Sequence, residues 1–288
     1  MLFAAFNMSS TPEDFARRVV DEFAMVEMRT AEGASSADGL LTGYATPVVA
    51  ARRTRDDRFR FPLVGDIRIG APELLEAPRR EILASAKAQS AAIAWIDDPA
   101  VWAIVETNGT ARLVVESGDG RAEEMLVSRA ATNGRPWTGL GRALAARGLV
   151  SAEDYTLADV LRASRENPQA AEEAAMENER LVFFREVPAE NFPPALGIRG
   201  ARLSGGYSCA ADQSVYPPGS VLLVVRRAAD AKPGEPADAR LMFVMDAGGA
   251  IKGPGRVDLY FGQGTESLAR AGATREQVSV YRLVRRAR

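Results

Sequence analysis

Two aspartates, Asp246 and Asp258, lie on either side of a glycine-rich turn in the stretch MDAGGAIKGPGRVDLYFGQG, residues 245–264. Each falls at the end of, or inside, a run that reads as β-strand. Successive side chains of a strand point to opposite faces. In RVDLYF, Val257, Leu259 and Phe261 therefore share one face, and Asp258 and Tyr260 share the other. With the apolar set facing the core, Asp258 is expected on a partly open surface beside an aromatic ring. Asp246 closes the preceding strand next to Gly248 and Gly249, which let backbone approach a ligand or another chain closely. A carboxylate in such a groove suits a general acid whose pKa partial burial raises. The spacing also fits a purely structural role, because aspartates at strand ends cap turns and Gly-Gly makes them. GGAIKG lacks the G-x-x-x-x-G-K-[ST] spacing of a phosphate loop. A second carboxylate pair, Asp97–Asp98, precedes Pro99 between two apolar runs and reads as a plain turn.

The residue types that are missing narrow the chemistry further. The chain has no histidine, so it holds no Ser–His–Asp triad, Cys–His pair or histidine metal site. Its single cysteine, Cys209, has no partner for an internal disulfide and is expected to be a buried, inert thiol. The net charge of −2 offers no basic field for nucleic acid. An enzyme drawn from this alphabet works with carboxylates, tyrosines, hydroxyls and backbone amides.

The elements that must hold these residues can be read from periodicity. The length of 288 residues suits one large or two ordinary domains, and the 47% apolar content suits a globular core. TPEDFARRVVDEFAMVEM (11–28) reads as one helix capped by Thr11, with Phe15, Val19, Phe23 and Val26 on its buried face. LLTGYATPVVAAR (40–52) reads as extended, and APRREILASAKA (77–88) as a short helix. AAIAWI (91–96) and AVWAIVE (100–106) read as strands joined by the Asp-Asp-Pro turn. RLVV and EEMLV continue the β pattern. GLGRALAARG, ending at Gly148, is helical, as are TLADVLRASREN with its T-x-x-D start and PQAAEEAAMEN. LVFF (181–184) is a buried strand, and GSVLLVV, RLMFVM, RVDLYF and VSVYRLV make the last hundred residues mostly β. GASSADG (33–39) and AADAKPGEPADA (228–239) are loops. No apolar run approaches the ~20 residues of a membrane span. The start, MLFAAFNMSS, has neither the basic n-region of a signal peptide nor a nearby lipid-attachment cysteine.

Five segments, in order, carry a family resemblance. MDAGGAIKGPGRVDLYFGQG resembles the signature of the membrane-bound lytic murein transglycosylase A (MltA) family, in which D-x-G-[GS]-A-I-x-G precedes a strand bearing the catalytic aspartate. LTGYATPVVAARRTRDDRFRFPL (41–63) resembles its T-G-Y-Y-x-P segment, and NGRPWTGLGRALAARG (133–148) its N-G-x-x-Y-x-S-I-G-x-x-L segment. NERLVFFRE (178–186) resembles its N-P-S-x-V-F-F, and SCAADQSVYPPGSVLL (208–223) its S-x-A-x-D-x-x-x-x-P-x-G.

The resemblance implies a mainly β fold with some α, a double-psi β-barrel interrupted by a second, smaller β-rich domain, with a groove between them. Residues 1–45 plus 190–288 would form the barrel and 46–189 the insertion. It implies that Asp258 is the catalytic acid, with Asp246 and Asp212 supporting it by hydrogen bonding. Thr42, Gly43 and Tyr44 would line the groove near the acid. Gly248, Gly249 and Ala250, from the signature turn, and Tyr260, beside the acid, would contribute to substrate binding. The implied reaction is non-hydrolytic cleavage of peptidoglycan glycan strands, leaving 1,6-anhydro sugar ends, with neither metal nor cofactor. That substrate implies a periplasmic or cell-envelope location, reached through a leader outside this chain.

The sequence departs from the family pattern at two places. Ala45 stands where the family has a second tyrosine. ETNG (106–109) aligns with Q-G-S-G, so Glu106 would bring a carboxylate and Asn108 an amide into the groove. Two other readings therefore stay open at this point. One is a glycan-binding protein without catalysis, and the other is a hydrolase in which Glu106 or Asp246 activates water.

Overall fold

The computed structural model describes residues 8, 10–29, 38–116, 121–188, 195–226 and 238–286. Its elements run in the order α1 (Pro12–Glu22), β1 (Phe23–Glu27), β2 (Gly39–Thr46), β3 (Val48–Ala51), β4 (Phe61–Val64), α2 (Arg79–Ala84), α3 (Ala86–Ser90), β5 (Ala92–Ile96), α4 (Pro99–Asn108), β6 (Thr110–Glu116) and β7 (Ala122–Thr132). They continue with α5 (Leu140–Ala145), α6 (Leu157–Glu166), α7 (Pro168–Ala175), β8 (Val182–Val187), β9 (Ser208–Ala211), β10 (Val221–Arg226), β11 (Asp238–Asp246), β12 (Arg256–Gln263), α8 (Thr265–Ala273) and β13 (Arg275–Arg285). The fold is mainly β with helices. Among the described residues no helix is long and apolar enough to cross a membrane.

Two compact units divide the chain. The first comprises residues 1–43, 197–260 and 274–288. Its sheet follows the order β1-β13-β10-β11-β9-β12-β2, and β13 also pairs with β2, so six of the seven strands close into a ring. Strand β13 can serve three partners because it is long. Residues 275–278 pair with β2, 279–282 with β10 and 281–285 with β1. Alternating apolar residues line the buried side, among them Leu222, Val224, Met242, Val244, Val257, Leu259, Val278 and Val280. A side chain at Gly39 would meet the Val278 carbonyl oxygen at 2.6 Å, so only glycine lets β2 come this close to β13.

The second unit comprises residues 44–196 and 261–273 and is the larger of the two, where a smaller insertion was expected. A four-stranded sheet, β3-β6-β7-β8, and the hairpin-like pair β4–β5 pack with helices around Phe61, Leu63, Ile82, Trp102, Leu113, Met125, Phe183 and Phe184. The end of β12 and all of α8 also belong to this unit. Helices contribute as much to it as strands.

Several predicted elements form as read. Thr156 and Asp159 make a full capping box on α6, and Thr11 caps α1 by accepting from the Asp14 amide at 3.1 Å. Others differ. The first helix stops at Glu22, and residues 23–27 join β13 as a strand, which leaves Val26 exposed. The 77–88 helix breaks at the extended residue Ser85. AVWAIVE is a helix, α4, and Asp98 is its N-cap, accepting from the Ala100 amide at 2.7 Å and the Val101 amide at 3.3 Å. Asp-Pro before an apolar run here marks N-cap and first helical residue. The predicted loops at 33–39 and 228–239 lie largely outside the described residues.

Candidate active site

Asp258 sits in the middle of β12 and is half-buried. Its Oδ1 accepts a hydrogen bond from the Thr42 hydroxyl on β2, which lies beside β12 in the ring. Thr42 Oγ1 in turn accepts from Arg256 Nη1 at 2.8 Å. Burial raises the pKa of the Asp258 carboxyl, while the Thr42 donor and the Arg256 charge oppose the rise. A carboxyl held this way is more readily protonated than a surface aspartate and still has a donor ready for its anion.

Asp246 ends β11. The register of β11 on β9 shifts between Val244 and Asp246, which leaves Met245 as an extra residue. That bulge puts Asp246, and not Met245, in register with Ala210. Asp246 Oδ1 accepts from the next amide, Ala247 N, at 2.8 Å. Ala210 is also in register with Asp258 on its other side. Directly opposed residues share a sheet face, so Asp246, Ala210 and Asp258 project together.

Asp212 follows β9 and acts on the loop before β12. Its Oδ2 accepts from the Gly253 amide at 2.8 Å, and its Oδ1 from the Ser214 amide at 3.0 Å and hydroxyl at 2.8 Å. These donors, the Gly253 amide first, hold its pKa down at about 2. The Tyr216 hydroxyl donates to the Pro254 carbonyl oxygen nearby. Together the two side chains fasten residues 253–254, so β12 starts from a fixed point.

The other expected site residues are more dispersed. Gly43 and Tyr44 continue β2 and are half-buried. Ala45 is 1% exposed and lies on the opposite strand face from Thr42, so a tyrosine there would not point into the same space. Gly249 and Ala250 form an exposed turn tip. Gly248 is needed for packing, since a Cβ there would meet Ile251 Cγ1 at 2.6 Å. Tyr260 is 1% exposed, not the open ring expected beside Asp258, while Phe261 is the partly exposed ring. The strict alternation of RVDLYF breaks at this point, where β12 passes from one unit to the other.

Glu106 is corrected most. It is 3% exposed on α4, and Arg79 Nη2 donates to its Oε2 at 2.5 Å. Arg79 also donates to the Arg180 carbonyl and stacks 4.5 Å from the centre of the Trp102 ring. Burial raises the Glu106 pKa against the pull of Arg79. This carboxylate joins parts of a core and does not line an open groove. Asn108 Nδ2 donates to the Ile104 carbonyl at 2.8 Å, within the last turn of the same helix.

Cys209 is buried on β9 and donates to the Phe243 carbonyl at 3.5 Å. Burial first, then the charges of Asp258 and Asp246, push its thiol up to about 12, so it stays neutral. Sequence reading missed Arg256. The signal was available, since a residue two before Asp258 on a strand shares its face.

Comparisons with known proteins identify the family of the chain. Residues 40–185 match the family model described as the MltA specific insert domain, and residues 207–284 match the 3D domain. Membrane-bound lytic murein transglycosylase A of Escherichia coli strain K12 is 32% identical over 234 residues, covering 80% of this chain. This chain spans 61% of the length of that relative. The Vibrio cholerae protein of the same name is 28% identical over 268 residues, covering 91% of this chain and 70% of that one. The crystal structure of E. coli MltA with bound chitohexaose superposes with a TM-score of 0.81 at 26% identity, covering 99% of this chain and 83% of that one. With the insert model covering half its residues and the 3D model most of the C-terminal part, the chain belongs to the MltA family.

Proposed function

We propose that this protein is a lytic transglycosylase that cleaves the β-1,4 bond between MurNAc and GlcNAc in peptidoglycan. Asp258, protonated, donates to the glycosidic oxygen, and the bond to the anomeric carbon of MurNAc breaks. The substrate's N-acetyl group or nearby dipoles stabilise the positive charge that develops at that carbon. The Asp258 carboxylate then takes the proton from the C6 hydroxyl, whose oxygen closes on the anomeric carbon to give 1,6-anhydro-MurNAc. A single carboxyl serves both steps, unlike the paired carboxylates of most glycosidases.

The observation that carries this reading is the Asp258 carboxyl, raised in pKa by burial and held by the Thr42 hydroxyl, in a chain of this family. Asp212 and Asp246 support it indirectly, the first by fastening the loop before β12 and the second by facing the same space across Ala210. The E. coli relative's structure holds chitohexaose, a glycan of related backbone, which supports a glycan as the ligand class here. Peptidoglycan as substrate places the protein in the periplasm or cell envelope, in keeping with relatives named as membrane-bound.

Two of the residues that favoured other readings, Ala45 and Glu106, do not favour them in the fold. Ala45 is buried, and Glu106 is paired inside a core and unable to activate water. The test is digestion of purified peptidoglycan by the parent and by Asp258→Asn, with mass analysis of soluble products. Anhydro-ended muropeptides from the parent alone support the proposal. Products about 18 Da heavier, carrying the added water of hydrolysis, overturn it.

A further inference from the structure

We propose that Arg256 is a positioning residue that acts on Asp258 through the Thr42 hydroxyl, fixing that hydroxyl as a donor to Oδ1 and leaving Oδ2 to carry the transferable proton. The inference rests on the reading of Asp258 as the acid.

A hydroxyl has one hydrogen and two acceptor lone pairs, whereas a guanidinium only donates. Arg256 Nη1 sits 2.8 Å from Thr42 Oγ1 and occupies one lone pair. The hydroxyl hydrogen must then point away from Arg256. Among the described residues, the acceptor it reaches is Asp258 Oδ1. The guanidinium is itself held in place, with Nη1 also reaching the Val257 carbonyl at 3.1 Å and the Leu40 carbonyl at 3.4 Å. Arg256 thus ties the β2 backbone, the Thr42 hydroxyl and the β12 backbone into one arrangement around the acid.

The chemistry gives this polarity a purpose. An acid that later becomes a base needs one oxygen kept free for the substrate and a donor waiting for the anion. Thr42 satisfies Oδ1 in both protonation states and does not compete for Oδ2. Other groups face the same carboxyl. They are Asp246 across Ala210 and exposed Arg275 on β13, which is in register with Thr42, while the neutral Cys209 thiol lies on the opposite face of β9. Of the two arginines, Arg256 is the one hydrogen-bonded to Thr42.

The test compares Arg256→Met, Thr42→Val, Thr42→Ser and the Arg256→Met/Thr42→Val double variant. It measures kcat/KM on peptidoglycan against pH, and follows the Asp258 carboxyl directly by carbon-NMR titration. At a pH where Asp258 is protonated in every variant, Arg256→Met and Thr42→Val should each lose roughly tenfold or more. The double variant should be no worse than Thr42→Val alone, because both changes break the same relay. Thr42→Ser should stay near the parent. The Asp258 titration should move to higher pH in Arg256→Met and in Thr42→Val, and the alkaline limb of the rate profile should move with it.

Losses that multiply in the double variant, or an Asp258 titration unmoved by Arg256→Met, overturn the relay. If Arg256→Met does not fold, Thr42→Val against Thr42→Ser carries the test, and equal titration in those two overturns it. Retained activity in Asp258→Asn would instead overturn the assignment of the acid, and the NMR titration still reads the relay on its own.

Discussion

Asp246 and Asp258 stand on either side of a single residue, Ala210, each in register with it from a different neighbouring strand. Strand spacing puts their Cα atoms about 10 Å apart, with only a methyl group projecting between them. The bulge at Met245 sets the alignment on one side, and the antiparallel ladder sets it on the other. Ala210→Val would drive two methyls into that space. Overpacking at a position 3% exposed should cost about 1–3 kcal/mol. Activity should fall about 100-fold, because displacing a reacting group by an ångström costs that much. Muropeptide release set beside thermal unfolding separates the two effects.

The raised pKa of Asp258 has two signatures in pH. The acid must be protonated at the start, so kcat/KM should fall as pH rises through the Asp258 pKa. Stability should run the same way. A carboxyl that binds its proton more tightly when folded contributes stability below its unfolded pKa, and that contribution is lost as pH rises through the folded value. Asp258→Asn removes the penalty of an ionised, partly buried group. Its Tm should exceed the parent's by ~2 °C at neutral pH and match it in acid. Thermal melts of both proteins across the acid-to-neutral range check this, and a less stable variant at neutral pH would contradict it.

Asp212 should behave in the opposite sense. Its pKa is held at about 2, below the ordinary 3.8, so its contribution is present above the unfolded value and lost as pH falls toward the folded one. Asp212→Asn should flatten the loss of stability between those two values. It should also speed hydrogen exchange at the Gly253 amide, since that amide loses its charged acceptor. Acid titration of unfolding, with hydrogen exchange at Gly253, reads both.

The Arg79–Glu106 pair is a different kind of carboxylate site, and the prediction concerns stability alone. Both side chains are about 1% exposed. Arg79→Met leaves a buried carboxylate without its cation and should cost about 3–5 kcal/mol. Glu106→Gln keeps an acceptor for the Val182 amide and leaves Arg79 its Arg180 carbonyl and Trp102 ring. It should cost about 1–2 kcal/mol. Chemical denaturation of the two variants gives the comparison, and equal costs would count against the pairing.

Much of the frame was legible because it depends on local rules. The capping box at Thr156 and Asp159 and the strands of the last hundred residues follow from period and turn chemistry. The misses come where distant partners decide. Phe15, Val19, Phe23 and Val26 keep a helical spacing to the end, yet residues 23–27 pair with 281–285 and become strand. AVWAIVE is apolar on every side because its helix is buried, which removes the periodicity that would distinguish it from a strand. Asp258 was found through a motif and strand alternation. Its partner Thr42 came from the family pattern alone, and nothing local could show that a hydroxyl 216 residues away would bond to it. Glu106 was misplaced for the same reason, because the arginine that accounts for it lies 27 residues earlier on a helix of its own.

The closure of the ring by β13 has a consequence for when the protein acquires its chemistry. Strand β2 is made before its partners β12 and β13, with 216 residues separating Thr42 from Asp258. Most of the second unit is one continuous stretch and can collapse from neighbours close along the chain, whereas the first unit must wait for residues 197–260 and 274–288. A nascent chain that has not yet reached β12 therefore carries no assembled acid. The order of synthesis alone keeps Thr42 and Asp258 apart until β12 has been made.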